Sequence, residues 1–206
     1  MSKKVIFYID GLNLYNGLKD SNLRKYYWLN LYELAKKLCF PNEKLVNIKY
    51  FTSIVSSKFD VDKYYRQTIY IKALRTLPNL KIFLGRHQRS KTACKKCSLT
   101  ITKFKEKKTD VNIASQMFED AYSKNCEIIK LISGDSDLVP ICDTIMKIFK
   151  NLKLIILFPP ERHTERMEKH CTSWRVIFPN VIKKCQFPDV VVNKKGKQFI
   201  RPKYWS

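Results

Sequence analysis

The chain has 206 residues, of which 40 are Lys or Arg and 18 are Asp or Glu, so its formal net charge is +22. Hydrophobic residues make up 45% of the chain, which excludes a disordered protein, because disorder requires low hydrophobicity together with high charge. With five Gly and eight Pro the chain is no fibrous repeat, and its length suits one domain that buries a sizeable core.

Short apolar runs alternate along the chain with segments of helical periodicity. Strands are predicted at Val5–Ile9, Val46–Phe51, Lys81–Leu84, Ile128–Ile132 and Leu152–Phe158, and helices at Leu29–Leu38, Val61–Leu77, Val111–Ala121, Leu138–Phe149 and Glu161–Cys171. This alternation is typical of a parallel sheet covered by helices on both faces. We therefore predict an α/β fold, with one domain over residues 1–185 and an extended C-terminal tail over residues 186–206 that packs on it.

Two segments interrupt the alternation. Residues 85–108 show little helical period and are predicted to form an insertion after the third strand. The tail is predicted to consist of extended pieces around a turn at Asn193-Lys-Lys-Gly196. No run approaches the roughly 18 apolar residues of a membrane helix, so we expect no membrane partner. Seven scattered cysteines and an apolar N-terminal run that stops at Asp10 favour a cytoplasmic location.

The net charge indicates a polyanionic partner. Self-repulsion at this level destabilises a compact chain, so the positive charge is expected to serve binding. Nucleic acid is the favoured partner, and an anionic membrane surface ranks second. The alternative is the composition of an A·T-rich genome, which would raise Asn together with Lys but would not deplete the acidic residues this far.

Four acidic residues lie at the ends of predicted elements. Asp10 follows the first strand, Asp135 and Asp137 follow the fourth, and Asp110 opens a helix. Ligands of open parallel sheets bind beyond the carboxyl ends of the strands, so we expect these carboxylates to meet at one edge. Clustered carboxylates repel unless a cation neutralises them, and hard oxygen ligands select Mg²⁺ or Mn²⁺. The pattern predicts metal-assisted hydrolysis of a phosphodiester. Each acid alone is explained equally well in another way: Asp110 as a first-turn acid, Asp135 and Asp137 as helix caps, and Asp10 as a residue that holds a tight turn.

Three segments in order resemble the NYN family, a branch of the PIN-like metal-dependent nucleases. They are Phe7-Tyr-Ile-Asp-Gly-Leu-Asn-Leu-Tyr15, Lys105-Glu-Lys-Lys-Thr-Asp-Val-Asn-Ile-Ala114 and Leu131-Ile-Ser-Gly-Asp-Ser-Asp-Leu138. The segment Tyr65–Leu74 and the ending Arg201–Trp205 are similar to a bacterial subgroup of this family. One such motif is weak, whereas three in this order and spacing are specific, and together they cover most of the chain.

The resemblance implies a PIN-like three-layer sandwich, with a central parallel sheet of strand order 3-2-1-4-5, and a ribonuclease that depends on Mg²⁺ or Mn²⁺. It implies that Asp10, Asp110 and Asp135 are the metal carboxylates, directly or through water, and that Asp137 is an outer, fourth carboxylate. Asn13 would hydrogen-bond a water of the metal or the scissile phosphate. Ser133 would orient Asp10 or Asp135.

The insertion combines a cysteine pair with a strongly basic sequence. Cys94 and Cys97 have the spacing of half a zinc site, with His87 as the candidate third ligand, and a reduced pair on a hairpin is the alternative. Residues 81–108 hold ten basic residues against Glu106 alone, so we expect this segment to guide backbone phosphates to the acids. The predicted substrate-positioning residues, besides Ser133, are Arg86, Lys107 and Lys108.

Taken together, these features predict an endoribonuclease that hydrolyses single-stranded or structured RNA. The alternative is a non-catalytic RNA-binding or scaffold protein that keeps the fold. No motif reads the 2′-hydroxyl, so DNA stays open as a second partner. Phe104, Tyr204 and Trp205 are candidates for base stacking, with packing in the core or the tail as the favoured alternative. The sequence motifs do not define the oligomeric state. The resemblance to PIN-like proteins implies that a homodimer is one option.

Overall fold

The computed structural model describes residues 2–58, 60–93 and 100–205, and within them only the backbone of residues 86–93 and 100–107. The strands in these residues are β1 Lys3–Asp10, β2 Glu43–Thr52, β3 Leu80–Leu84, β4 Arg86–Ala93, β5 Thr100–Lys107, β6 Ile128–Ile132, β7 Lys153–Phe158, β8 Ser173–Val176, β9 Val190–Val192 and β10 Gln198–Ile200. The α-helices are α1 Gly11–Asp20, α2 Leu31–Leu38, α3 Val61–Leu74, α4 Thr109–Tyr122, α5 Val139–Ile148, α6 Glu165–Glu168 and α7 Pro179–Lys183. Short 3-10 helices cover Arg24–Tyr26, Ser136–Leu138 and Lys203–Trp205.

A parallel sheet forms the middle layer. Six of the described strands lie in the order β3-β2-β1-β6-β7-β8, and each neighbouring pair is parallel. Counted among the sheet strands alone, the order is 3-2-1-4-5-6, so the predicted order is confirmed and one edge strand is added. The sequence pattern does not predict β8, because its four residues are mostly exposed and lack the apolar run of a buried strand.

Helices cover both faces of this sheet and give the predicted three layers. Helices α1, α2 and α3 pack on one face, where Leu34 and Phe7 are part of the core, and α4 and α5 pack on the other, with Ile113 and Tyr8. Successive residues of β1 point to opposite faces, and the strand is buried from Val5 onward, so it supplies both cores. None of the described helices is both long and apolar enough to cross a membrane.

Two helices differ from the sequence prediction. The pattern predicts no helix directly after β1, yet α1 starts there, and a Cβ atom on its first residue, Gly11, would lie 2.7 Å from the Phe51 carbonyl oxygen. The helix predicted at Glu161–Cys171 is wrong, because only the single turn α6 is helical. Glu161 has a left-handed φ of 56°, and Thr164 caps the turn that follows.

The insertion and the tail each contain a hairpin. Strands β4 and β5 pair antiparallel, and the tip with Cys94 and Cys97 lies outside the described residues, so the zinc site stays a prediction. Strands β9 and β10 pair antiparallel around the predicted turn. Beyond them Trp205 is buried against Trp28 and Tyr70, so tail packing accounts for this ring.

Two lysines are buried in the sheet, and a carboxylate neutralises each of them. Lys49 Nζ lies 2.5 Å from the carboxylate of Asp120 in α4, and the two side chains are 6% and 5% exposed. The Tyr8 hydroxyl donates to the same carboxylate. On β6, Lys130 Nζ lies 2.5 Å from Glu43. The first of these pairs ties α4, the helix that carries Asp110, to the centre of the sheet.

Replacing Asp120→Ala should lower the free energy of unfolding by about 3–5 kcal/mol, because it leaves the Lys49 ammonium buried without its counter-charge. Denaturant unfolding followed by circular dichroism measures the loss. The matched control is Asp62→Ala, which removes an exposed carboxylate from α3 and should change the free energy of unfolding by less than about 0.5 kcal/mol. Equal effects of the two substitutions would show that the pair does not anchor α4.

Candidate active site

The carboxyl ends of β1 and β6 lie side by side at one edge of the sheet. Ile9 of β1 pairs with Ile132 of β6 in parallel register. The residues that follow them in the sequence, Asp10 and Ser133, are therefore neighbours. Asp135 follows in the same loop and caps the 3-10 helix Ser136–Leu138. The sheet therefore brings the first acidic motif and the third together.

Asp10 is buried, with 4% of its surface exposed, and both of its carboxylate oxygens accept hydrogen bonds. Oδ1 accepts from the backbone amides of Leu12 at 3.1 Å and Asn13 at 3.0 Å, which caps α1. Oδ2 accepts from the Ser133 hydroxyl at 2.9 Å. Two donors fill the lone pairs of Oδ1, whereas this bond leaves Oδ2 with capacity for a further ligand.

Ser133 and Asn13 connect the two loops of the site. The Ser133 hydroxyl donates to Asp10 and accepts from the backbone amide of Asp135 at 3.1 Å, so it contacts both acidic residues. Asn13 Oδ1 accepts from the backbone amide of Gly134 at 2.9 Å. This bond engages the amide oxygen of Asn13 and leaves its NH₂ group as a donor. Together these bonds set the position of Asp10 relative to Asp135.

Gly134 marks the place where the loop after β7 crosses the site. A Cβ atom there would lie 1.8 Å from the carbonyl oxygen of Arg162, so a side chain has no room. The Arg162 guanidinium forms an ion pair with Asp20 at the end of α1. Sequence reasoning missed Arg162, although a glycine between Ser133 and Asp135 is a signal of close backbone approach.

Asp110 belongs to a third element, the helix α4. It is the second residue of α4 and is exposed. Lys108, which precedes the helix, has a left-handed φ of 79° and makes the turn from β5 into α4. The charge of Asp110 acts on Asp10, since it contributes to the raised pKa of that carboxyl.

The pKa of Asp10 is raised from its usual 3.8 to about 6, mainly by burial. The hydrogen bonds from Asn13 and Ser133 act to lower this pKa, and the charges of Asp135 and Asp110 contribute to the rise. A buried carboxylate with acidic neighbours is stabilised by a cation. Among the side chains that the structure describes, no three Asp, Glu, His or Cys form a group that could hold a metal ion. A cation on Asp10 and Asp135 would therefore complete its ligands with water, as Mg²⁺ commonly does.

Comparison with protein families gives the same assignment as the motifs. The family model of the NYN domain matches residues 4–178. This chain belongs to the NYN family. The NYN domain is part of the PIN-like nuclease superfamily.

Two individual proteins are similar to this NYN chain. Over 96% of its length it is 23% identical to 6-hydroxy-3-succinoylpyridine 3-monooxygenase from Pseudomonas putida, of which it covers 74%. Its fold matches the crystal structure of a protein of unknown function from Vibrio parahaemolyticus with a TM-score of 0.59 and 16% identity. That match covers 87% of this chain and 95% of the other, and it shows the fold alone.

The remaining predicted site residues of the NYN domain are spread around this edge. Asp137 is exposed, and its backbone amide donates to Asp135 Oδ1 at 3.0 Å. Lys108 is exposed beside the start of α4. The backbones of Arg86 and Lys107 are paired with each other across the β4–β5 hairpin, and that of His87 follows next on β4. Their roles in binding phosphate or zinc stay predictions.

In the absence of divalent cations, Asp10→Asn should have a larger free energy of unfolding than the wild type. This difference should grow as the pH rises from about 4 to about 7. Because the pKa of Asp10 is raised to about 6, the native state binds more protons than the unfolded state between pH 3.8 and that value. The stability that protonated Asp10 contributes is therefore lost across this window, by at most about 3 kcal/mol.

Guanidinium unfolding in EDTA at the two ends of this pH range measures the effect. Asp137→Asn is the matched control, since it removes an exposed carboxylate from the same edge and should change the free energy of unfolding by less than about 0.5 kcal/mol at both pH values. A constant difference between Asp10→Asn and the wild type across the range would contradict a buried, costly charge at Asp10.

Proposed function

We propose that this NYN protein is an endoribonuclease that hydrolyses RNA phosphodiester bonds with the help of Mg²⁺ or Mn²⁺. The observation that carries the proposal is the buried carboxylate of Asp10 at the end of the central strand, with its pKa raised by burial and by the charges of Asp135 and Asp110. A chain of charge +22 that concentrates acids at one sheet edge is suited to a cation and a polyanion together.

Asp10 and Asp135 would hold the cation, with Asp110 and Asp137 acting through water. When bound, such a cation lowers the pKa of a coordinated water and withdraws charge from a phosphate oxygen. Ser133 keeps the Asp10 carboxylate oriented by donating to Oδ2, and it engages the Asp135 amide at the same time. Asn13, whose oxygen is bound to Gly134, would donate its NH₂ group to a phosphate oxygen without adding negative charge.

The proposed substrate follows from the charge of the elements around the acids. Ten basic residues between positions 81 and 108 precede Asp110 directly, and Lys108 is exposed beside it. Lys and Arg side chains in such numbers bind a phosphate backbone with little dependence on base sequence. RNA is the substrate that the family resemblance favours, and DNA is an outcome that the same assays would detect.

Experiments can distinguish the proposed nuclease from two other functions. A scaffold or binding protein would bind RNA and leave it intact in Mn²⁺. The relative from Pseudomonas putida is named a monooxygenase of a pyridine derivative. The net charge of +22 favours a polyanionic substrate over such a small molecule.

Both Asp10→Asn and Asp135→Asn should abolish cleavage of labelled RNA in Mn²⁺ while RNA binding is retained or strengthened, because each removes a metal ligand and one repulsive charge. Gel-based cleavage and equilibrium binding in EDTA measure the two properties separately. Asp62→Asn, an exposed acid in the first turn of α3, is the matched control and should cleave like the wild type. If the wild-type protein binds RNA in Mn²⁺ but leaves it intact, the result would favour a scaffold or binding function.

Substitution of Ser133→Ala should reduce metal affinity or cleavage by about 10- to 100-fold, the usual cost of losing a residue that orients a metal ligand. Titration with Mn²⁺ distinguishes the two effects, since a weaker metal site is compensated at high Mn²⁺ concentration. An unchanged Mn²⁺ dependence would mean that the hydroxyl has no influence on the carboxylate it contacts.

The affinity for single-stranded RNA should fall steeply with salt. Each neutralised phosphate contributes a slope of about 0.7 log units of affinity per log unit of salt. Binding measured between about 50 and 200 mM salt gives the number of phosphates engaged. A flat response would contradict the role assigned to the basic residues.

A further inference from the structure

A pocket lies against the first turn of α1, on the face of the sheet that α1 and α3 cover. Its volume is ≈ 270 Å³, just below the range of drug-sized ligand sites, which is about 300–1,000 Å³. Gly11 and Leu12 form part of its lining, and the backbone amide of Leu12 also donates to Asp10. The pocket and the acidic site therefore share the first turn of α1.

Six aromatic side chains line the pocket. They come from five separate parts of the chain and are Tyr15, Tyr27, Tyr50, Tyr70, Tyr204 and Trp205. Several are fixed by contacts with one another, with ring centroids 4.9 Å apart for Tyr15 and Tyr27 and 6.0 Å apart for Tyr70 and Trp205. Rings held in this way form a preformed surface on which a flat group can stack.

Two cations and two hydroxyl groups complete the pocket. Lys63 Nζ lies 5.6 Å from the ring centre of Tyr15, and the Arg66 guanidinium lies 4.9 Å from that of Tyr204. Tyr27 is 6% exposed, and its hydroxyl interacts with that of Tyr15, so two hydroxyl groups lie among the rings of the pocket. Hydroxyl groups in an aromatic pocket suit a ligand that is flat but carries polar atoms.

The ending of the chain closes one side of the pocket. Arg201 donates to the carbonyl oxygens of Lys25 and Trp205, which holds the last residues against the 3-10 helix Arg24–Tyr26. Arg24 in turn donates to the Tyr204 hydroxyl at 3.1 Å. This accounts for the Arg201–Trp205 segment, which the acidic site itself does not use.

We infer that the pocket binds one unpaired base of a single-stranded RNA and that Lys63 and Arg66 bind its adjoining phosphate, next to the bond that is cut. The inference rests on the proposed nuclease function and adds a substrate subsite to it. The aromatic lining fits a base, the two cations fit a phosphate, and the volume fits one nucleoside-sized group. Because Leu12 both lines the pocket and donates its backbone amide to Asp10, a base held in the pocket would adjoin the acidic site.

A scan with abasic nucleotides tests the pocket. A labelled single-stranded RNA carries one ribose without a base, moved position by position, and its affinity is measured in EDTA while the cut site is mapped in Mn²⁺. Loss of the base at one fixed distance from the cut should weaken binding by about 5- to 100-fold, the range expected for one stacked base. Loss at other positions should have a much smaller effect.

Variants of the pocket show whether this base lies there. Tyr204 is 60% exposed, so Tyr204→Ala should fold normally, bind intact RNA more weakly and lose its sensitivity to the abasic position. Tyr204→Phe keeps the ring and should retain that sensitivity. Lys63→Gln should weaken binding and reduce its salt slope, whereas Lys72→Gln, which removes the same charge from an exposed position of α3, should do so less.

The outcomes separate this inference from the proposed function. Wild-type protein that neither binds nor cuts RNA overturns both. Cleavage that needs Asp10 but shows no position-dependent loss in the abasic scan leaves the nuclease intact and overturns the base pocket. The base pocket is also overturned if the loss of affinity at the abasic position is unchanged in Tyr204→Ala and in Lys63→Gln.

Discussion

A buried carboxylate at the end of the central strand constrains how three elements of this protein meet. Asp10 is removed from water, and such a group is costly unless its oxygens accept hydrogen bonds. Its partners are the first amides of α1 and the hydroxyl of Ser133 at the end of β6. Any shift of α1 or of the loop after β6 would leave the carboxylate short of donors, so the bonds that build the fold here also set the geometry of the candidate site.

The two buried lysine pairs fix the rest of the frame. Tyr8 is paired with Lys49 in the sheet and Phe7 with Lys130, so the two ammonium groups lie on opposite faces. One meets Asp120 of α4 and the other meets Glu43 at the start of β2. A one-residue slip in strand pairing would move either lysine to the face without its carboxylate, which penalises wrong registers. The position of α4, and with it Asp110, depends on this register.

The sequence was sufficient for features that depend on short-range pattern. Apolar runs such as Ile128–Ile132 locate the central strands, and the family motifs imply their order. The start of α1 depends instead on close packing of Gly11 against Phe51, and Arg162 reaches the site only through a loop that the helical pattern misassigned. The aromatic pocket combines α1, α3, the segment after β2 and the tail, and no local pattern connects them. Local periodicity therefore predicts the scaffold and the acids at its edge, but not the side chains that distant segments bring beside them.

The position of Trp205 has a consequence for how the chain folds during synthesis. The buried residues of the core between the sheet and α4 and α5 end at Met167, so this core can close before the tail is made. The opposite face includes Trp28, whose ring contacts Tyr70 but whose other ring neighbours, Phe187 and Trp205, are made much later. Since synthesis proceeds from the N-terminus, this large indole ring must wait for nearly 180 further residues before its last aromatic neighbour arrives. During that interval the nascent protein exposes apolar surface around Trp28, which a chaperone would cover.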